Sequence, residues 1–470
     1  MGTGVAQSLP HSSAAAPVEV PGKLWQRCFV PVDIAWLAVF RIAFGGLLLY
    51  EILKGITGGW VYKLFIAPKF HFTYYGFDWV QPLPGVGMYV LFGLLGLAAL
   101  GIMLGCWYRL SAVTFCLGFT YVFLLEATEY LNHFYLICLL SLLMLLVPAN
   151  GAFSVDAWRK AAMRSDTTPA WTLWLLRAQI SIAYFFGGIA KLNGDWLRGE
   201  PLRTWLAART DFPVLGRWFT EEWMVYLFSY GGLLIDLLAI PLLLWKRTRV
   251  IGFVVVLAFN LMNARLFSIG IFPWLMIGAS LLFFSPNWPR RFGIGRRAGA
   301  SRVTAPRAPL ALGGKQCALL AFIACHLVWQ CLMPLRHFLY PGNVNWTEEG
   351  HYFSWHMKLR DKQARAEFLV TDPAQQKTWR VDPRQDLTRT QASIMARQPE
   401  LIRQFAHFLA AEYGREGLAK VEVRAEVLAS LNGRPAQLLV DPRVNLAAEP
   451  ASLEHQRWIE PLQSLERKGK

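Results

Sequence analysis

The chain has 470 residues, of which 54% are hydrophobic and only 17% charged, against about 25% charged in a soluble domain. With 31 Phe and 20 Trp it has too little polar surface to cover itself in water, which excludes a wholly soluble globule and makes lipid its natural solvent. The net charge of +16 invites a nucleic-acid reading, but Arg290, Arg291, Arg296, Arg297, Arg302, Arg307 and Lys315 sit between two apolar runs, where a cytoplasmic loop carries its positive charge.

In chain order, the Ala/Ser/Pro-rich start before Lys23 reads as disordered, and residues 1–30 as a cytoplasmic N-terminus. It lacks the basic start and apolar run of a cleaved signal peptide, so the first membrane helix serves as the uncleaved signal. Nine apolar segments then approach the span length of about 20 residues, at roughly 33–51, 87–105, 109–125, 132–148, 171–190, 223–245, 250–265, 270–285 and 316–334. The seventh and eighth are short and closely linked, which predicts tilted or partly re-entrant helices. Residues 31–334 therefore read as a membrane helical domain.

Basic loops set the orientation. Arg159, Lys160 and Arg164, then Lys246, Arg247 and Arg249, then residues 286–315 all face the cytoplasm if the N-terminus is inside. Lys54, Lys63 and Lys69 fall on the outside and run against this rule. An odd span count puts residues 335–470 outside as well. Strand patterns there lie near Glu367–Thr371 and Thr378–Val381, and helical spacing runs through residues 389–413. Val421–Leu431 and Pro435–Val440 flank Asn432-Gly433, a hairpin turn signal. This predicts a mainly α polytopic bundle with a small extracytoplasmic α+β domain. The seven cysteines contain no CxxC and read as buried free thiols.

Three places combine polar groups with apolar surroundings on the outer side: Asn132-His133, Lys191, and Asn263 with Arg265. Ionisable groups at membrane depth are costly and mark function, although a terminal lysine also snorkels. Arg41, Arg177 and Asp236 read as structural pairs inside the bundle. No dinucleotide, phosphate-loop, zinc-protease or serine-hydrolase motif competes, and no metal-ligand cluster has usable spacing.

The blocks Leu37-Ala-Val-Phe-Arg41, Gly101-Ile-Met-Leu-Gly105, Asn132-His133, Gly187-Gly-Ile-Ala-Lys-Leu192 with Asp195-Trp196, Gly231-Gly-Leu-Leu-Ile-Asp236 and Met262-Asn263 stand in that order. Leu266-Phe-Ser-Ile-Gly270, Ser285-Pro-Asn-Trp-Pro289, Asn345-Trp-Thr347, Ser354-Trp355, Asp441-Pro-Arg-Val444 and Trp458-Ile-Glu-Pro-Leu462 follow. Through them the chain resembles the vitamin K-dependent γ-glutamyl carboxylase family, from Pro31 to about Leu462.

The resemblance implies that reduced vitamin K, or a menaquinol, reacts with O2 and drives removal of a γ-proton from a glutamate-containing peptide or protein. CO2 is then captured, and the quinone leaves as an epoxide. It implies Lys191 as the starting base. A free lysine titrates near about 10.4, and the apolar wall Tyr184–Ala190 is expected to favour the neutral amine. His133 takes the place of a histidine that assists at the glutamate or quinone. Asn132, Asn263 and Met357 are assigned to the quinone. Ser354 and Trp355 are assigned to the substrate, and Arg265 to the substrate carboxylate. Animal members run longer, and His351, Phe353 and Lys358 diverge from the glutamate-binding block. The short, basic, cysteine-poor chain is expected in a bacterial inner membrane. An epoxidase without carboxylation and a non-catalytic protein on the same scaffold are the competing readings.

Overall fold

The structure, a computed structural model, describes residues 24–267, 269–294, 313–418 and 420–463. The expected disorder before Lys23, Ser268 of one family block, and the arginines 296, 297, 302 and 307 of the basic loop lie outside the described residues.

Each expected apolar segment is a helix. They are α1 (Ala35–Thr57), α2 (Gly87–Leu104), α3 (Tyr108–Leu124), α4 (Asn132–Leu146), α5 (Ala170–Ala190), α6 (Glu222–Leu244), α7 (Arg249–Phe267), α8 (Phe272–Ser280) and α9 (Gly314–Leu332). Among the described residues six helices are long and apolar enough to cross a membrane: α1, α2, α5, α6, α7 and α9 with its extension to Leu339. At 23 residues α1 is about 34 Å long, enough for a hydrocarbon core of about 30 Å. The other three are apolar but shorter. The seventh segment is a full 19-residue helix rather than a short one, and only the eighth is short.

In lipid, apolar contact alone does not hold helices together, so close backbone approach matters. It is marked where α5 meets α6: a Cβ on Gly188 would stand 2.6 Å from Leu237 Cδ2 and 3.2 Å from its backbone nitrogen. At the other end of α5, β1 (Pro31–Asp33) pairs with β2 (Thr167–Pro169), and Arg290 bonds Asp33 at 2.6 Å. Arg41 donates to the carbonyls of Ile102, Met103 and Phe153, and Arg177 to those of Leu282 and Phe284. Of the residues read as structural pairs, Arg41 and Arg177 are taken by backbone carbonyls, whereas Asp236 has an ionic partner.

Beyond α9 the chain forms an antiparallel sheet in the order β4-β3-β5-β6, from β3 (Lys362–Asp372), β4 (Lys377–Val381), β5 (Glu422–Leu431) and β6 (Gln437–Leu438). Val423, Ala425, Val427, Ala429 and Leu431 alternate inward on β5, the period-2 pattern of a half-buried strand. The single helix expected over 389–413 is two, α10 (Arg389–Met395) and α11 (Pro399–Arg415). Pro399 opens the second, where its missing N–H costs nothing. Leu401, Ile402, Phe405 and Leu409 of α11 bury against the sheet, each contributing about 1.5–3 kcal/mol. Asn432 and Gly433 take positive φ of 50° and 75°, the turn their sequence predicts. The following strand is reduced to two residues after Pro435, which lacks a ladder donor. Of the cysteines expected to be buried, Cys317, Cys325 and Cys331 are exposed along α9.

The strand-containing C-terminal region is tied to the bundle by Asp195. Its carboxylate accepts from Asn432 Nδ2 at 2.9 Å and from Arg434 at 2.7 Å, and Arg198 adds a third partner at 2.7 Å. These bonds hold Asp195 below the usual carboxylate range against the cost of its burial. Gln391 and Gln404 tie the same domain to Glu126 and to the backbone of Thr73.

Candidate active site

Lys191 caps the C-terminus of α5, one turn past Gly187. Its Nζ donates to Asp236 Oδ2 at 2.6 Å and to the Gly187 carbonyl at 3.2 Å, and lies 5.3 Å from the Trp196 ring centre. Both side chains of this ion pair are only 7% exposed. Gly187 brings Met357 close: a Cβ there would lie 3.1 Å from Met357 Cε and in ordinary contact, 3.5 Å, with Asp236 Oδ2. The expectation of a lone amine against an apolar wall is thus corrected. The wall is present, but a carboxylate from α6 stands inside it.

The pair lines a cavity of about 420 Å³ between α5, α6, α7 and α8. Its walls include Tyr184, Trp196, Trp205, Phe228, Phe259, Phe267, Phe272 and Met276. Polar groups are few. Asn260 is committed to the Val256 carbonyl at 2.9 Å and the Tyr184 hydroxyl at 3.4 Å, whereas Asn263 has no hydrogen-bond partner among the described residues. An apolar slot with a few convergent polar groups is the usual form of a small-molecule site.

A second cavity of about 630 Å³ adjoins it, lined by Asn132, His133, Glu51, Lys54, Glu126, Glu129 and aromatic side chains. The two share Phe267, Ile269, Phe272, Met357 and Lys358. His133 is 8% exposed, stacks edge-on to Phe134 and makes no hydrogen bond to the described residues. Asn132 is engaged: its Oδ1 accepts from the Tyr130 hydroxyl at 3.2 Å and its Nδ2 donates to the His356 carbonyl at 3.3 Å.

The segment carrying Met357 and Lys358 is strained. Phe353, Trp355 and Lys358 adopt φ of 64°, 59° and 51°, a region non-glycine residues avoid unless neighbours enforce it. Enforcement comes from the Tyr130 hydroxyl, which accepts from Phe353 N at 2.7 Å, and from Arg336, which donates to the Tyr352 carbonyl at 2.7 Å. Behind it, Lys362 and Glu348 form a buried pair at 3.5 Å. Burial brings Lys362 down to about 8 despite Glu348, and pushes Glu348 up. His356 is 6% exposed with neither ring nitrogen hydrogen-bonded among the described residues, and burial lowers it to about 3.

The sequence-predicted residues divide accordingly. Lys191, Asn263 and Met357 meet in the first cavity, and Asn132, His133 and Met357 in the second. Arg265 is exposed and lines neither. Ser354 and Trp355 are 1% and 0% exposed. They brace the strained segment from behind: Ser354 Oγ donates to the Gly350 carbonyl, and Trp355 packs on Tyr135 at 5.2 Å. Asp236, read from the sequence as a structural residue, and Lys358, read only as a divergence, also line the cavities. A lone acid inside an apolar run was the available signal for Asp236.

The family model for the HTTM domain matches residues 29–288, and that for the vitamin K-dependent gamma-carboxylase lumenal domain matches residues 315–465. The chain belongs to the vitamin K-dependent carboxylase family. The first match contains Lys191, Asp236, Asn263 and His133, and the second contains Met357 and Lys358, so each cavity is walled by both. No solved structure matches the chain. The two carboxylase domains indicate a γ-carboxylase-like function, with use of vitamin K hydroquinone, in an integral membrane protein.

Proposed function

We propose that the chain is a γ-glutamyl carboxylase in which the Lys191–Asp236 cavity holds vitamin K hydroquinone, or a menaquinol, and the His133 cavity receives the glutamyl side chain. The observation that carries this reading is the buried ion pair in an apolar slot, separated by Met357 and Lys358 from a more polar cavity. The first cavity suits a flat apolar ring with polar oxygens: aromatic walls for its faces, and an unpartnered Asn263 amide and the pair for its edge. When bound, the hydroquinone supplies, with O2, the strong base that removes the γ-proton before CO2 adds.

The chain's own part is proton handling. Lys191 and Asp236 form an ion pair, so that together they bring no net charge to the cavity. The pair takes one further proton on the Asp236 carboxylate, which stays hydrogen-bonded to the Lys191 ammonium. It then bears one positive charge facing the negative charge left behind. The site stays neutral overall, which matters where water is excluded and charge is costly. His133, free of hydrogen bonds among the described residues, offers a ring nitrogen to the glutamyl side chain or to the reaction's protons. Asn132 positions the strand of chain before Met357 through the His356 carbonyl.

For the remaining assignments, Arg159, Lys160, Lys246, Arg247 and Arg290 lie away from the soluble domain in sequence and on the basic loops. This supports a cytoplasmic face there and an extracytoplasmic C-terminal domain in a bacterial inner membrane. We place the boundary between the membrane and soluble domains at about residue 334, after α9. The test is purified protein in lipid discs with vitamin K hydroquinone, O2, labelled bicarbonate and a Glu-containing peptide. Label fixed in the peptide together with epoxide is the expected result. Epoxide without fixation reduces the activity to epoxidation, and the absence of both products contradicts the proposal.

A further inference from the structure

Lys358 stands at the junction of the two cavities with no ion pair among the described residues. It lines both, and its Nζ lies 5.5 Å from the Trp205 ring centre and 5.7 Å from that of Phe267. It makes no hydrogen bond and no ion pair with the described residues, and only Asp361 acts on it across space. Aromatic faces hold a cation by modest attraction, about 0.5–2 kcal/mol, and Lys358, an exposed residue, has no acceptor for its three N–H donors among the described residues. The left-handed backbone at Lys358 (φ 51°) is a local cost of keeping the side chain there.

The carboxylates around it are engaged elsewhere. Glu51 pairs with Lys54 at 3.9 Å, and Glu126 is held by His71, Thr128 and Gln391. Glu129 is pushed up by burial and by Glu126, which favours its neutral form. Arg265, the cation expected to meet substrate, faces away from both cavities.

We propose that Lys358 is the carboxylate anchor of the second cavity, binding the side-chain carboxylate of the glutamyl residue and setting its γ-carbon beside the first cavity. This rests on the glutamate cavity proposed above. The anchor selects glutamate over glutamine, because a neutral amide gives an ammonium a weaker acceptor than a carboxylate.

The test measures direct binding of two labelled peptides, identical except for Glu or Gln at one position, to the full chain in lipid discs. Wild type binds the Glu peptide more tightly. Lys358→Met weakens the Glu peptide by on the order of tenfold to a hundredfold, the range of a charged hydrogen bond, and changes the Gln peptide by less than about threefold. Lys358→Arg keeps the preference for Glu. Lys358→Met with its preference intact overturns the anchor while leaving the glutamate cavity standing, and equal loss of both peptides in Lys358→Met and Lys358→Gln also overturns it, making Lys358 structural. Wild type binding neither peptide sinks the glutamate cavity and the anchor together.

Discussion

Separating Lys191 from Asp236 exposes the energetics on which the site rests. At 2.6 Å and an effective dielectric of about 20, their attraction is about 6 kcal/mol. Each ion lost several kcal/mol of hydration on burial, so the intact pair contributes little net stability. Removing one partner is different. Asp236→Leu leaves a buried ammonium with no anion and is expected to cost about 3–5 kcal/mol. The loss is capped near about 4.6 kcal/mol, where an ordinary lysine gives up its proton at pH 7. Lys191→Met leaves the carboxylate alone, with a cost of the same order. The double variant buries no charge and should return to within about 1 kcal/mol of wild type, since apolar replacement of a buried pair is often neutral. The assay is equilibrium unfolding of all four proteins in the same detergent at pH 7. A double variant whose loss equals the sum of the single losses to within about 0.5 kcal/mol would refute the pairing.

Lys191→Ala is expected to abolish epoxide formation in the protein that remains folded, and added small amines should restore part of the rate; full activity without amine contradicts the pair's role in accepting the proton. His133→Ala should lower carboxylation by about 100-fold, within the usual range for acid–base groups, more than it weakens quinone binding. Loss of quinone affinity alone contradicts that assignment. His356 gives a pH dependence of stability. Burial first, then His337, Arg360 and Lys191, hold it near about 3, against about 6.5 in an unfolded chain. Between these values the unfolded chain binds a proton that the folded chain refuses, so stability rises with pH and is lost on acidification. From pH 6.5 to 4.5 this group alone costs about 2–3 kcal/mol. His356→Phe should remove about one proton from the slope of unfolding free energy against pH, and an unchanged slope means that His356 is not the group responsible.

The helices were legible because each carries its apolar run within its own sequence, and Asn432-Gly433 was legible because the turn needs positive φ at both positions. Lys191 stood out as a charge at the end of such a run. Its pairing did not, because Asp236 lies 45 residues away on another helix, and the close approach of that helix at Gly188 brings them together. Arg265 lies apart from Asn263, and the sequence held a sign of this. Two residues from Asn263 on a helix, it points to a different face, so one cavity does not take both. The segment from Phe353 to Lys358 has no periodicity to read. Its course is set by Tyr130 and Arg336, which are remote in sequence, so burial of Ser354 and Trp355 and exposure of Lys358 to both cavities emerge only in three dimensions.

The most direct measurement is a structure of the chain with vitamin K hydroquinone bound in lipid. The account predicts the ring between α6 and α7, beside Asn263, with one ring oxygen within about 3.2 Å of Lys191 Nζ or the Asp236 carboxylate. A ring seated outside that cavity, with the ion pair intact and out of its reach, would contradict it.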